Sequence, residues 1–384
     1  QTDMSFVITV AGWISLVAVV LFGTLGRKIG AKNVSMIGLV GSAVGFIILA
    51  TMNSFAMFAV GVIVFYFCMV AYATIGVGML GSAWFPRTKG SFMGIATIGT
   101  TFCSAAMNPI ILGFVGAGLG VSGFFWACAI VLLVMAVIVF FFVKNNPEEA
   151  GAYPDNDKSV SREELEAEFK GAEEYKKHSP WTTAKVLKTP QTWLIGFGTG
   201  LPMMVGAGVI AILVPTLIGF GQDPMFGILL LSSMWPIGLL GHYLIGVIDH
   251  KIGTKKTALV VISILGLGGL ITFVGGHEAA ACAISTGMFM FGLSGSLNVC
   301  TSLTVSIFGR ADFEIAYTPI QVMFNIFNFA GVSVMSMVAA AFGPTYVMLA
   351  VFIICVVAFV IMMALPYRQI GSKIHGDEEV ANAQ

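Results

Sequence analysis

Along most of this chain, apolar residues run on for about twenty positions at a time, break at a short polar stretch, and resume. A charge-free run of that length crosses the roughly 30 Å hydrocarbon core of a bilayer as an α-helix, which satisfies its own backbone N–H and C=O groups inside lipid. The pattern predicts eleven spans: Phe6 to Leu25, Val34 to Met52, Phe55 to Leu80, Met93 to Val115, Val121 to Val143, Trp193 to Phe220, Phe226 to Ile248, Ala258 to Gly275, Ala279 to Phe308, Thr318 to Ala341 and Tyr346 to Leu365.

The polar breaks alternate in charge. Arg27, Lys28 and Lys32 follow the first span, Arg87 and Lys89 the third, and eight basic residues lie between the fifth and sixth. Lys251, Lys255 and Lys256 follow the seventh span, Arg310 the ninth, and Arg368 and Lys373 the last, which accounts for all 19 Lys and Arg. The loops of the other face hold only Asp3, Asp223, His277 and Glu278. By the positive-inside rule the basic loops are expected in the cytoplasm.

The polar insert from Lys144 to Pro190 divides the chain, and the sequence repeats itself across it. Gly23, Lys28, Ile29, Gly30 and Lys32 recur 223 residues later as Gly246, Lys251, Ile252, Gly253 and Lys255; Phe85 and Arg87 recur at the same offset as Phe308 and Arg310. One offset across two loops indicates a duplicated unit. The second copy has a span, Trp193 to Phe220, before its equivalent of the first. The odd count therefore reads as a six-plus-six protein whose first helix is missing, and the opening Gln-Thr-Asp reads as a chain without its true N-terminus. Expected segments are a helical bundle over 1–143, a linker over 144–190, a second bundle over 191–366 and a tail over 367–384. Ser161 and Glu164 form a capping box that predicts a surface helix over Arg162 to Lys177.

Composition agrees with this picture. The chain is 57% hydrophobic and 10% charged, against about 25% charged in soluble domains; a net charge of zero says nothing about acidic or nucleic-acid partners, and a membrane carrier is expected to have no nucleic-acid partner. The 46 glycines suit close helix packing, as at Gly41 and Gly45 or Gly266 and Gly269. Six cysteines, all within apolar runs and without CxxC spacing, read as packing residues rather than disulfides or metal ligands.

The repeated G-x-x-x-x-K-I-G-x-K pattern resembles the cytoplasmic loop motif of the major facilitator superfamily. Trp84-Phe85-Pro86 with Arg87, Lys89 and Gly90, the run Leu187-Lys188-Thr189-Pro190-Gln191 before Trp193, and Asn146-Pro147-Glu148-Glu149 before Gly151 are similar to segments of its oxalate/formate antiporter branch. The resemblance covers essentially the whole chain. It implies an all-α membrane protein of two pseudo-symmetric six-helix bundles with spans 2–6 and 7–12 of the family fold present. It also implies a charge latch at the basic face built from Gly23, Arg27, Lys28, Gly30, Asp249, Lys251, Gly253, Arg87 and Arg310. Arg27 stands where the family usually has Asp. Aligned on the motif, His242 falls where oxalate transporters of the branch carry an Arg, and Phe324 where they carry a Lys, so this chain lacks their grip on a dianion.

Within the spans there is no Asp, Glu, Lys or Arg; His242 is the one readily ionisable side chain, and such a residue points to a transport path. It shares a helical face with Trp235 and Leu239. Thr97, Thr101, Ser104 and Asn108 form one polar stripe, and Gln321, Asn325 and Asn328 another beside Phe324; Tyr72, Thr74 and Asn298 are weaker members. Interhelical hydrogen bonding or a substrate path would satisfy either stripe. The expected function is secondary transport of a small organic anion, a monocarboxylate first, by a monomer in the plasma membrane, through exchange or facilitated diffusion and without a cofactor. An exporter of amphipathic or neutral compounds is the alternative. A channel or receptor lacks a filter sequence or signalling domain, and an enzyme lacks a catalytic set or phosphate-binding loop.

Overall fold

The computed structural model describes residues 2–85, 88–156, 171, 174–175 and 178–371. The capping box at Ser161 and Glu164 and the loop residue Arg87 lie outside the described residues. Among those described, the membrane helices are α1 (Thr2–Ala50), α2 (Phe55–Val70), α3 (Val77–Trp84), α4 (Lys89–Gly116) and α5 (Gly120–Phe142); then, after the short α6 (Thr183–Lys188), α7 (Pro190–Gly219), α8 (Pro224–Ser233), α9 (Trp235–Ile252), α10 (Thr254–Gly275), α11 (Ala279–Phe342) and α12 (Tyr346–Ala364).

Two of these helices are double passes. The 64 residues of α11 would span more than twice a bilayer at about 1.5 Å per residue; it breaks at Gly309 (φ 72°) and α1 breaks at Gly30 (φ 84°, ψ 159°). Gly253, 223 residues after Gly30, takes the same backbone shape (φ 84°, ψ 152°). A left-handed φ of this kind favours glycine, so the sequence repeat is also a repeat in backbone conformation.

Two passes are interrupted where the apolar pattern shows nothing. A π-helical turn, Ala71–Gly76, joins α2 to α3. Between α8 and α9, Met234 leaves helical geometry (φ −88°, ψ 0°) just before Pro236, which has no N–H to continue the ladder. With these joined, the described residues make eleven membrane-length passes, as the apolar runs predict. Ends are capped locally: Asp223 accepts from Met225 N and Phe226 N at the start of α8, and Ser54 from Met57 N at the start of α2.

Lipid tails give helices little reason to associate by burial alone, so close backbone approach carries the packing. A Cβ at Gly45 would lie 2.8 Å from Phe65 N, at Gly266 3.0 Å from Cys355 Cβ, and at Gly269 2.9 Å from the Met348 carbonyl; at Gly41 it would strike Cys68 Sγ. All four glycines named from sequence thus sit in helix contacts. The core of the second half gathers Val205, Leu213, Leu265, Leu303, Met335 and Val351 from α7, α10, α11 and α12. A second core joins the halves, with Val19, Phe22, Val34 and Ile75 against Phe313 and Tyr317 of α11.

Candidate functional site

His242, 3% exposed on α9, meets residues from both halves. Its Nδ1 lies 2.7 Å from Thr97 Oγ1 on α4, and Thr97 Oγ1 lies 3.0 Å from Asn298 Oδ1 on α11. Asn298 Nδ2 donates to the His242 carbonyl at 3.5 Å. The close approach depends on Gly94, one turn before Thr97, where a Cβ would strike the His242 carbonyl oxygen. Ser294 Oγ donates to the Gly238 carbonyl at 2.9 Å and anchors α11 to α9 beside the cluster.

A second polar group forms toward the basic loops. Tyr317 Oη lies 3.2 Å from Thr301 Oγ1 and donates at 3.5 Å to the Thr74 carbonyl, which the π turn presents. Its ring stacks on Phe313 with centroids 4.5 Å apart and fits against Gly78, where a Cβ would be 2.5 Å from the ring. Gln321 Nε2 reaches Cys300 Sγ at 3.7 Å, and Asn325 Nδ2 donates to the Gln321 carbonyl at 2.9 Å. Asn325 therefore bonds along its own pass, while the Gln321 side chain reaches the preceding one.

Thus the structure brings together His242, Thr97 and Asn298 of the sequence-predicted residues. Phe324 is 4% exposed within the second-half core. Asn328 is half-buried, as is Tyr72 on the π turn, and Trp235 is 37% exposed at the start of α9. The side chains of Thr101 and Asn108, both on α4, are outside the described residues.

The basic face is crossed by polar contacts of its own. Arg310 Nη2 donates to both Glu148 oxygens at 3.0 and 3.2 Å, with the side chains only 12% and 4% exposed. Asp312 accepts from Tyr175 Oη at 3.0 Å and Ser179 Oγ at 2.7 Å; Asp155 accepts from Thr88 N and Oγ1 at 2.9 and 2.5 Å. The linker thereby holds loops from both sides of the chain. Asn145 Oδ1 accepts from Lys32 N at 2.9 Å, its amide filling the space a Gly30 side chain would need. Gly23 packs against Thr318, where a Cβ would collide with Oγ1. Asp249 is buried while Arg27, Lys28 and Lys251 are exposed. Beside it, burial pushes the Tyr367 phenol up, hydrogen bonds with Ser306 and Thr254 pull it down, and the Asp249 carboxylate raises it further. Among the described residues, no group of three or more His, Cys, Asp or Glu converges to hold a metal ion.

Residues 1–312 match the family model of the Major Facilitator Superfamily. The chain belongs to that superfamily. Among solved structures, this facilitator chain is similar to the proton:xylose symporter XylE bound to 6-bromo-6-deoxy-D-glucose, with a TM-score of 0.76 and 14% identity over 97% of this chain and 87% of that one. It is similar to the E. coli fucose:proton symporter FucP, with a TM-score of 0.72 and 15% identity over 94% and 90%. It is similar as well to the human organic anion transporter MFSD10 (TETRAN), with a TM-score of 0.68 and 11% identity over 93% and 82%. No curated protein matches its sequence. At these identities the solved structures establish the facilitator fold alone, and the family makes the chain a multi-pass membrane transporter.

In this facilitator the residues that sequence reasoning passed over are Tyr317, Glu148, Asp312, Asn145 and Asp155. Glu148 lay inside a motif already singled out, so a search for its basic partner would have reached Arg310. Tyr317 carried a fainter signal, a lone phenol just before the span that begins at Thr318 and one turn past the charged residue Glu314.

Proposed function

We propose that this transporter carries a small organic monoanion, a monocarboxylate first, by alternating access around Thr97, His242 and Asn298. One bundle is 1–143 and the other 191–366, with 144–190 a cytoplasmic linker and 367–384 a cytoplasmic tail; the protein acts as a plasma-membrane monomer in the oxalate/formate antiporter branch. One observation carries the reading: the one readily ionisable group within the spans sits at the seam between halves, hydrogen-bonded to one half and built into the other. A single imidazole matches one carboxylate, whereas a compact dianion would need a second cation that the spans lack.

Among the described residues, the hydrogen bonds that join the halves, Ser91 to Gly246, Thr97 to His242 and Asn298, and Tyr317 to Thr74, lie at His242 or between it and the basic loops. They support a state closed toward the cytoplasm, with the Arg310–Glu148 pair as part of the latch. Removing that pair should favour opening. Exchanging Arg310→Gln and Glu148→Gln singly and together is expected to give a coupling energy of about 1–3 kcal/mol in thermal unfolding of the purified protein; additive effects would remove the pair from the latch.

The function itself is tested by counterflow in proteoliposomes. Vesicles preloaded with unlabelled monocarboxylates of two to six carbons are expected to accumulate the labelled acid transiently, and oxalate-loaded vesicles are not. Accumulation only of neutral or bulky amphiphiles would select the exporter reading instead.

A further inference from the structure

We infer that Thr97 and Asn298 hold the His242 ring as its Nδ1–H tautomer, so that Nε2 faces the substrate and a carboxylate binds there only together with a proton. This rests on His242 being the anion site. Counting protons fixes the tautomer. A hydroxyl has one proton to donate, and the oxygens near Thr97 Oγ1 include the Met93 carbonyl at 2.7 Å, the Gly94 carbonyl at 3.3 Å and Asn298 Oδ1 at 3.0 Å. The Asn298 amide cannot be turned round without setting its oxygen against the His242 carbonyl, which its Nδ2 now faces. With Oδ1 toward Thr97, the hydroxyl proton goes to an oxygen, and the 2.7 Å contact to Nδ1 is then a hydrogen bond only if Nδ1–H donates into the Thr97 lone pair.

The consequence falls on the other nitrogen. In a neutral imidazole whose Nδ1 carries the proton, Nε2 is a bare acceptor, and no described residue hydrogen-bonds it. A bare acceptor repels a carboxylate oxygen. Once Nε2 takes a proton from water, it donates a charge-assisted hydrogen bond to that carboxylate, and the bound pair is electrically neutral. Both leave together when the site opens to the other side, the proton returning to water from Nε2.

Among the described residues, no charged neighbour substitutes for that proton. On α9, Tyr243 is half exposed on the outside of the bundle and Asp249 lies seven residues on, about 10 Å along the axis. Among the described side chains packed on α9, α4 sets Thr97 at the ring and Ser91 at the Gly246 carbonyl, and α11 sets Asn298 at the His242 carbonyl and Ser294 at the Gly238 carbonyl, none of them charged. Cys300 is engaged by Gln321, Tyr317 lies deeper toward the loops, and Arg310 and Asp312 follow Asn298 by 12 and 14 residues. The lysines of α10, Lys255 and Lys256, stand at its start on the basic face.

The tautomer is read by 15N NMR of the full chain labelled at its five histidines, with His242→Ala to assign the signal. The expected spectrum of neutral His242 has the proton on Nδ1; Thr97→Val should mix or reverse the tautomers and Thr97→Ser should retain the wild-type signal. A proton on Nε2 in the wild type would overturn the assignment. Joint binding is read by calorimetry with butyrate in buffers of different ionisation heat: about one proton taken up per anion, and affinity weakening about tenfold per pH unit above the imidazole titration, both lost in His242→Gln. Butyrate binding without proton uptake would overturn the joint step. Failure of every carboxylate to bind while the Nδ1–H signal stands would instead overturn the anion reading, and joint binding with it.

Discussion

Replacing His242 with alanine is expected to weaken monocarboxylate binding about ten- to a hundredfold, since one charge-assisted hydrogen bond contributes about 1.5–3 kcal/mol. The protein should still fold. Thr97 keeps the Met93 carbonyl and Asn298 as partners, and the Asn298 bond is to the backbone of residue 242, which the substitution leaves in place. Thermal-shift titration of the solubilised protein separates the two effects, because a ligand that binds only the folded state raises its apparent stability with concentration. The expected result is a small fall in the melting point without ligand and a loss of the ligand-induced rise. His242→Gln is the second variant, keeping size and hydrogen bonding while removing the titration. An undiminished shift in both variants would take the anion away from His242.

The passes and the repeat were readable from sequence because their causes are local. An apolar run must become a helix in lipid, and a glycine needed at positive φ in one copy is needed in the other, as Gly30 and Gly253 show. His242 stood out for a similar reason, as the one readily ionisable side chain within the predicted spans. Its partners were only half readable. Thr97 was one of four residues on a stripe, and nothing local marked it as meeting α9; that depends on which turn Gly94 allows to approach. The π turn at Ala71–Gly76 left no trace in the apolar pattern because its residues are as apolar as their neighbours. The spacing of Gln321, Asn325 and Asn328 did not reveal that two of these amides find each other along α11. The linker contacts were hidden because each pairs residues more than 60 positions apart.

Gly94→Val is expected to slow exchange more than tenfold without unfolding the protein. In the structure α4 and α9 pass so closely that any Cβ at Gly94 strikes the His242 carbonyl, and a backbone atom cannot move aside as a side-chain tip can. Overpacking of this kind costs about 1–3 kcal/mol. The cost falls only on the conformation in which the two helices touch, so it shifts the balance toward the state open at the basic face, each 1.4 kcal/mol being about tenfold in population. A cysteine at Ser91, which faces the Gly246 carbonyl across the same contact, placed in a background without the native cysteines, should then react faster with an impermeant maleimide applied from the cytoplasmic side. Gly99→Val serves as the control, since a Cβ there meets nothing within 4 Å, and it should exchange at the wild-type rate. If Gly94→Val also exchanges at that rate with Ser91→Cys no more reactive, the α4–α9 contact is not part of the cycle, and the halves close about some other seam.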